Sequence, residues 1–340
     1  NFAMLVLGIE TSCDETCAAI VDDTGRIIAE SMTSQIKDHQ PFGGVVPEIA
    51  ARRHLDCLDD HIRTCLDKAG CQWGNIAAIA ATAGPGLIGG IAVGVMTAKS
   101  LAFARDLPFL AINHLEGHAL SPMLGGNIAY PYLLLLVSGG HCQFVLCHGL
   151  GRYAVLGGTR DDAAGEAFDK AARLLGLPYP GGPAIEQAAR GGDATKIDLP
   201  ISMLGHAGCD MSFSGLKSAL DRHVKRHSAL KVEDCAAAFQ HAVVSQLCER
   251  AQNAIIMSRE TAPSCHHFAV AGGVAANAVL RASLAALTKE YHWNFVVPDQ
   301  KLCTDNAAMI AWAGLLRARA GQCNGLDFAP RPRWPLQENS

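Results

Sequence analysis

Leu5-Val6-Leu7-Gly8-Ile9-Glu10, running into Thr11-Ser12-Cys13-Asp14-Glu15-Thr16, and Tyr132-Leu133-Leu134-Leu135-Leu136-Val137, running into Ser138-Gly139-Gly140-His141, are the two stretches on which the fold turns. Each is a strand-length apolar run that closes on a polar or glycine turn, the pattern of a strand buried on both faces. The first leads to a strand over residues 18–21, a hairpin turn at Asp22-Asp23-Thr24-Gly25 and a third strand over 26–30. The second leads to a strand over 143–147, a turn over 148–151 and a strand over 152–156. Further along, a strand over 79–82 passes through Gly84-Pro85-Gly86 into a helix, and a strand over 268–271 passes through Gly272-Gly273 into a helix over 275–287. A strand over 109–112 ends at Asn113-His114, and one over 295–297 ends in a loop reaching Thr304-Asp305-Asn306. The chain reads as a duplicated unit.

That unit, in which strand hairpins are followed by strand-to-helix crossovers, is the arrangement of the actin and sugar-kinase class: an α/β fold of two lobes with a nucleotide and metal cleft between them. The expected division is an N-terminal lobe over 4–130, on which the chain's C-terminal helix can pack back, and a C-terminal lobe over 131–320. The second lobe includes a helical insertion over 158–230, and a tail over 321–340 follows it. Turns at strand ends present backbone N–H groups suited to anions, so Ser138-Gly139-Gly140 and Gly272-Gly273 are candidates for holding a nucleotide. Each can equally be a tight connection between a strand and a helix. Residues 161–192 read as helical pieces broken by Pro178 and Pro180-Gly181-Gly182-Pro183, and they bring Asp169 and Glu186 toward the cleft.

Composition narrows the function classes. Hydrophobic residues make up 49% of the 340 and charged ones 18%, as in globular enzymes, and a net charge of −4 argues against a generally basic nucleic-acid binder. Arg52, Arg53 and His54 form a local basic patch that either touches phosphate or is a solvated helix face. The 13 cysteines are scattered without a CxxC pair, which fits free thiols in a reducing cytosol, and Cys13 and Cys17 are read as structural. Asn1 to Ala3 precede the first methionine and read as an appended remnant. No secretory or transit segment is read after them, so a cytoplasmic location is expected. The uncharged stretch over 76–98 has the length of a membrane span, but the glycine-proline turn at 84–86 divides it into a strand and a helix. No membrane association is expected.

His114-Leu115-Glu116-Gly117-His118 sets two imidazoles four residues apart, hence on one face of a helix. They are either metal ligands or two satisfied histidines near a helix start. The duplication places Asp305 at the matching strand end of the second half, so it supplies a third ligand where the loops converge. Two histidines and a carboxylate suit iron(II) or zinc and leave positions open for substrate. A zinc peptidase has the same histidine spacing, but its general base adjoins the first histidine. Glu116 lies two residues on, about 200° around a helix.

These residues, with ordered blocks from Met4 to Leu336, closely resemble the tRNA threonylcarbamoyltransferase family called TsaD in bacteria, long labelled a sialoglycoprotein endopeptidase. The blocks are 8–16, Gly43-Gly44-Val45-Val46-Pro47-Glu48, Gly84-Pro85-Gly86-Leu87, 114–118, 137–141, 161–170, Tyr179-Pro180-Gly181-Gly182-Pro183, Ser212-Phe213-Ser214-Gly215-Leu216-Lys217, Ala271-Gly272-Gly273-Val274, Cys303-Thr304-Asp305-Asn306 and Arg331-Pro332-Arg333-Trp334-Pro335-Leu336. The resemblance implies transfer of a threonylcarbamoyl group from threonylcarbamoyl-AMP to the exocyclic amine of the adenosine beside the anticodon, with release of AMP. It implies a metal at His114, His118 and Asp305, with Fe2+ favoured and Zn2+ the alternative. It also implies adenylate binding by Leu136, Val137, Ser138, Gly139, Gly140, Asp169, Gly182 and Asn277, near Glu186, Gly272 and Gly273. Asp14 and Glu15 would face the phosphates through water or a second cation and are the catalytic candidates; the alternative is a capped turn. The implied partners are tRNA, an inactive TsaB-like paralogue contacting the helix over 46–71, a small TsaE-like ATPase and an upstream synthase of threonylcarbamoyl-AMP. Cys17, Cys142 and Ala278 depart from the family pattern, and none of them is a proposed metal ligand. A metallopeptidase and a non-catalytic ATP-binding regulator are the competing readings.

Overall fold

The structure, a computed structural model, describes residues 4–126, 128–226 and 231–339. Asn1 to Ala3 and residues 227–230 of the expected insertion lie outside the described residues. Strands β1 (Leu5–Glu10), β2 (Glu15–Val21), β3 (Ile27–Ser34), β4 (Ile76–Gly84) and β5 (Phe109–Asn113) form one sheet in the order β3-β2-β1-β4-β5. Strands β6 (Tyr132–Val137), β7 (Cys142–Gly149), β8 (Arg152–Gly158), β9 (His267–Ala271) and β10 (Asn294–Val296) form the other, in the order β10-β9-β6-β7-β8. Read from its other edge, the second order repeats the first strand for strand. The pairing repeats as well, since β1 and β6 each run antiparallel to the strand that follows and parallel to β4 and β9. The duplication legible in the sequence is therefore a duplication of topology.

The helices are α1 (Ile36–His39), α2 (Pro47–Ala69), α3 (Ile88–Arg105), α4 (His114–Leu120), α5 (Ala164–Leu174), α6 (Gly181–Ala189), α7 (Ser214–Arg226), α8 (Val232–Thr261), α9 (Ala278–Glu290), α10 (Gln300–Cys303) and α11 (Ala307–Arg319). Helix α2 starts with Pro47 in its first turn and stops at Gly70, whose φ of 60° is left-handed. Its buried positions Ala50, His54, Leu58, Ile62, Cys65 and Leu66 follow the helical repeat onto the first sheet. His54 is among them: it bonds the Thr16 hydroxyl and the Cys13 carbonyl, while Arg52 and Arg53 pair with Glu48 and Asp38. Of the basic patch read at 52–54, His54 is thus buried while Arg52 and Arg53 are exposed.

Contacts divide the chain into two units. The first holds residues up to Ala129, Gly149–Tyr153 and the chain from Thr304 onward; the second holds Tyr130–His148 and Ala154–Cys303. Helix α11, inside the expected 131–320 lobe, packs on β1, β2, β4 and β5 of the first sheet. Gly8 permits this, because a Cβ there would lie 2.4 Å from the Ala307 carbonyl oxygen and 2.5 Å from the Ala311 nitrogen. In the second unit all six residues of β6 are fully buried, and each of its leucines stabilises the core by about 1.5–3 kcal/mol.

The uncharged stretch over 76–98 folds as β4, a turn and most of α3. Among the described residues α3 is the one helix long and apolar enough to cross a membrane. Its Ile91, Val95, Ala98 and Ala102 are core residues of the first unit, whereas Ile88, Met96 and Phe103 are exposed. All 13 cysteines are free thiols.

Three boundaries differ from the sequence reading for local reasons. Strand β2 begins at Glu15 because Glu15 and Thr16 continue the ladder opposite Ser34 and Thr33, which shortens the polar turn. The helix expected over 275–287 divides into a 3-10 turn at Gly273–Ala276 and α9, because the Asn277 side chain accepts from the Leu280 N–H at 2.9 Å and caps a new start. The loop expected before Thr304 contains α10.

Asp161 clamps the start of α7. It accepts from the hydroxyls of Ser212 (2.5 Å) and Ser214 (2.7 Å) and from the Phe213 N–H (2.8 Å), which gives a structural reason for those sequence blocks. Burial pushes its carboxyl up, but the hydrogen bonds outweigh this and hold it below the usual value of 3.8. A depressed folded-state value means that the stabilisation is complete above the unfolded pKa and is lost as pH falls through the folded one. Asp161→Asn should therefore lower the urea midpoint at about pH 7, and the gap from wild type should shrink at about pH 3. A gap independent of pH would show that the carboxylate charge is immaterial.

Candidate functional site

The first unit carries a cluster of imidazoles and carboxylates. Strand β5 ends at Asn113, whose side chain accepts from the Leu115 N–H at 2.8 Å and starts α4 directly with His114. One turn later the same face carries His118, with the two ring centroids 4.7 Å apart. The sharp entry to α11 supplies Asp305, just before Asn306 caps that helix by accepting from the Met309 N–H. Asp305 Oδ1 lies 3.0 Å from His118 Nε2 and 3.4 Å from His114 Nε2. One ligand atom from each residue falls within 4.8 Å of the others, so the three form a group able to hold a metal ion. The two histidines are buried and the Asp305 side chain is 21% exposed, leaving a solvent-facing side on which further ligands can bind. Two nitrogens and one carboxylate oxygen are the donor set suited to iron(II) or zinc, so the residues fit such an ion.

Glu10 is a candidate site residue that the sequence reading missed. Its Oε2 accepts from His114 Nδ1 at 3.0 Å and from the Thr82 hydroxyl at 2.5 Å, and its Oε1 accepts from the Ser12 N–H at 2.6 Å. An ionised carboxylate only accepts, so Glu10 keeps a proton on His114 Nδ1, and Nε2 is the nitrogen left to ligate once a metal displaces its proton. The one available signal was an acid at the end of an otherwise apolar strand. Burial raises the Glu10 carboxyl, but the His114 charge and hydrogen bond outweigh it and lower it below 4.5. Burial likewise opposes the charge on Asp305, yet His114 and His118 hold that carboxyl well below its usual value. The His114 imidazole is pushed well above 6.5 against the desolvation of its site, by Asp305 and Glu10.

Glu10→Gln isolates the charge. Glutamine has one acceptor oxygen; with the Ser12 N–H taking it, the amide NH2 faces Nδ1 and drives the ring proton to Nε2, the ligating atom. Metal affinity should fall by roughly 10–100-fold with the fold intact, read by competition with a chromophoric chelator. Unchanged affinity would reduce Glu10 to a structural role.

Asp14 and Glu15 lie beside this cluster, Asp14 buried and Glu15 half-buried. Burial first, then the Asp305 and Asp14 charges, push the Glu15 carboxyl well up. The Asp14 carbonyl accepts from the Gln35 N–H, closing the turn onto the end of β3. Glu116 points elsewhere: fully buried, it takes two hydrogen bonds from Arg317, at 2.6 and 2.9 Å, and one from the Tyr153 hydroxyl at 2.9 Å.

The second unit gathers the other candidates. Strands β6 and β9 are parallel neighbours, so the Ser138-Gly139-Gly140 and Gly272-Gly273 turns leave the same sheet end side by side. Gly272 has φ 98°, and a Cβ on it would lie 2.3 Å from the Val137 carbonyl oxygen. Glycine alone fits there. Gly139 and Gly140 are exposed with open space around them, and among the described residues no acceptor takes their N–H groups. The Ser138 and Gly139 carbonyls instead receive the first N–H groups of α5, from Gly165 and Glu166. Leu136 and Val137 have fully buried side chains, so only their backbone can reach a ligand.

Asp169 Oδ1 accepts from the Gly181 N–H at 2.7 Å and joins α5 to α6, where Gly182 faces open space. Glu186 Oε1 accepts from the Ala278 N–H at 3.2 Å, and Asn277 Nδ2 donates to Gln240 Oε1 at 2.9 Å. Asn277 and Glu186 thus meet at the start of α9, and both cap polar ends there. Cys142 begins β7 with its thiol in the core against Met211, away from the glycine turn.

Comparisons with known proteins agree with this architecture. The chain is 55% identical to the tRNA N6-adenosine threonylcarbamoyltransferase of Paramagnetospirillum magneticum over 98% of this chain and 97% of that protein. It is 52% identical to the protein of the same name from Rhodospirillum rubrum, covering 98% and 95%. Among solved structures, full-length HypF in its phosphate- and nucleotide-bound form matches with a TM-score of 0.63 at 12% identity, covering 94% of this chain and 56% of that one. The ADPNP-bound activator of 2-hydroxyisocaproyl-CoA dehydratase from Clostridium difficile matches at 0.54 and 16%, covering 94% and 97%. At such identities these structures speak for the fold alone, the actin and sugar-kinase-like one. The family profile of tRNA N6-adenosine threonylcarbamoyltransferase covers residues 26–312, and with relatives matched over nearly their whole length this chain belongs to that family.

Proposed function

We propose that this chain transfers the threonylcarbamoyl group of threonylcarbamoyl-AMP to the exocyclic amine of the adenosine next to the anticodon, in tRNAs reading codons that begin with A. The observation that carries the reading is the convergence of His114, His118 and Asp305 in a chain whose full-length relatives bear that activity's name. The adenosine amine attacks the carbamoyl carbonyl carbon, the bond from that carbon to the phosphate oxygen breaks, AMP leaves with the electron pair, and the amine proton passes to solvent. Held by His114, His118 and Asp305, a divalent ion, Fe2+ in preference to Zn2+, would supply Lewis acidity toward the carbonyl or the leaving phosphate. The chain's own part is to orient. Glu10 fixes the ligating tautomer of His114, the Gly139 and Gly140 N–H groups bind the acyl-adenylate, and Asp169, Gly182, Glu186, Gly272, Gly273 and Asn277 shape its site. Asp14 and Glu15 act on the phosphate side through water or a second cation. Peptide hydrolysis is disfavoured because Glu116, bound to Arg317 and Tyr153, is not available as a base.

The partners in this reading are an upstream synthase, a small TsaE-like ATPase and a TsaB-like paralogue. The paralogue would contact the α2 region, where Leu55 of α2 and Ile88, Met96 and Phe103 of α3 are exposed apolar side chains. The reaction belongs to the cytoplasm. Nucleoside mass spectrometry of tRNA incubated with threonine, bicarbonate, ATP and the partner set tests the whole. Threonylcarbamoyladenosine should form only when this chain is present, and its absence from the complete mixture would end the reading.

A further inference from the structure

A cavity of about 540 Å3 opens between α5 and α7, walled by Lys170, Arg173 and Leu174 on one side and Lys217, Ser218, Asp221 and Arg222 on the other. Four cations face one carboxylate, in a chain whose net charge is −4. Part of that charge is already engaged: Lys170 Nζ lies 2.7 Å from both Asp162 and Glu166. The single acid is engaged too, since Asp221 pairs with Lys225 at 2.7 Å. Lys217 and Arg222 have no carboxylate partner among the described residues, and Arg222 is exposed. On a convex helix face such charges would be dissipated by water, but a concave wall with low-dielectric sides concentrates their field. Helix α7 continues basic to its end through His223, Lys225 and Arg226.

The helix opposite ties this cavity to the adenylate candidates. Helix α5 starts on the Ser138 and Gly139 carbonyls, and it carries Asp169 immediately before Lys170. An occupant needs regularly spaced negative charge, acceptor oxygens for Ser218 and some apolar surface against Leu174, which is the chemistry of a sugar-phosphate backbone, phosphates with ribose carbons between them. We propose that the groove between α5 and α7 docks the phosphate backbone of the tRNA, with Lys217 and Arg222 as its phosphate contacts. The inference rests on the reading that tRNA is the substrate.

The test is tRNA binding by the full chain with its partners at several salt concentrations, comparing wild type, the double variant Lys217→Glu/Arg222→Glu and the charge-keeping Arg222→Lys. The double variant should bind roughly 10-fold or more weakly, and its slope of log affinity against log salt should be shallower by about one to two. Arg222→Lys should stay near wild type. Wild-type affinity and slope in the double variant, with thermal melting confirming that it is folded, would overturn the groove. The proposed reaction is judged separately, by whether wild type forms modified nucleoside at saturating tRNA.

Discussion

Asp305→Ala should leave the protein unable to retain a divalent metal and should lower threonylcarbamoyladenosine formation by about a thousand-fold or more. Asp305 is the single carboxylate of the triad, and one of its oxygens approaches both imidazoles, at 3.0 and 3.4 Å. Without it, two neutral nitrogens remain, too few donors to retain a divalent ion against water. Metal assistance contributes several kcal/mol to a transition state, and about 4 kcal/mol corresponds to three orders of magnitude in rate. Elemental analysis of protein purified without chelator, beside nucleoside mass spectrometry, reads both effects. His118→Ala should behave alike, because its Nε2 faces the same oxygen. Full metal content in either variant would discard the ligand assignment, and full activity with lost metal would discard the metal's role in the reaction.

Arg317→Ala should destabilise the first unit by about 3–5 kcal/mol, the cost of leaving a buried carboxylate without its partner. Glu116 is fully buried and Arg317 keeps 15% of its side-chain exposure, so water cannot replace the guanidinium. The pair joins α4, which carries both histidines, to α11, which begins just after Asp305. Its loss should loosen the triad as well as the fold. Urea unfolding should show a lower midpoint, and metal affinity should fall in the protein that remains folded. The double replacement Glu116→Gln/Arg317→Met removes both charges and should recover much of the stability, since exchanging a whole buried pair is frequently close to neutral. If Arg317→Ala unfolds at the wild-type midpoint, the pair is not what holds the two helices.

The sequence was most legible where one physical constraint acted alone. Strand β6 matched the apolar run residue for residue because both of its faces are buried and turn chemistry ends it at Ser138. The position of Glu116 away from the histidines followed from helical geometry, and the structure places it against Arg317. Legibility failed where partners come from far along the chain. Glu10 looked like the end of a strand, and nothing local reveals that His114, 104 residues on, takes its carboxylate. Arg317 and Tyr153 were equally invisible as partners of Glu116. The fit of α11 on the first sheet turns on the missing side chain of Gly8, and within an apolar run a close backbone approach leaves no mark beyond the glycine itself. The Asn277 cap was misread as helix interior because asparagine suits both a cap and a polar surface position.

The return of the chain from Thr304 onward to the first unit bears on the timing of assembly during synthesis. The whole of the second unit lies between Tyr130 and Cys303, so its core can close while the ribosome is still extending the chain. The first sheet, translated earliest, must wait for α11 to cover Gly8, and its metal-binding residues are incomplete until Asp305 has emerged. The half made first is thus finished last, and a nascent chain halted shortly before residue 304 would expose the apolar surface of β1 to chaperones.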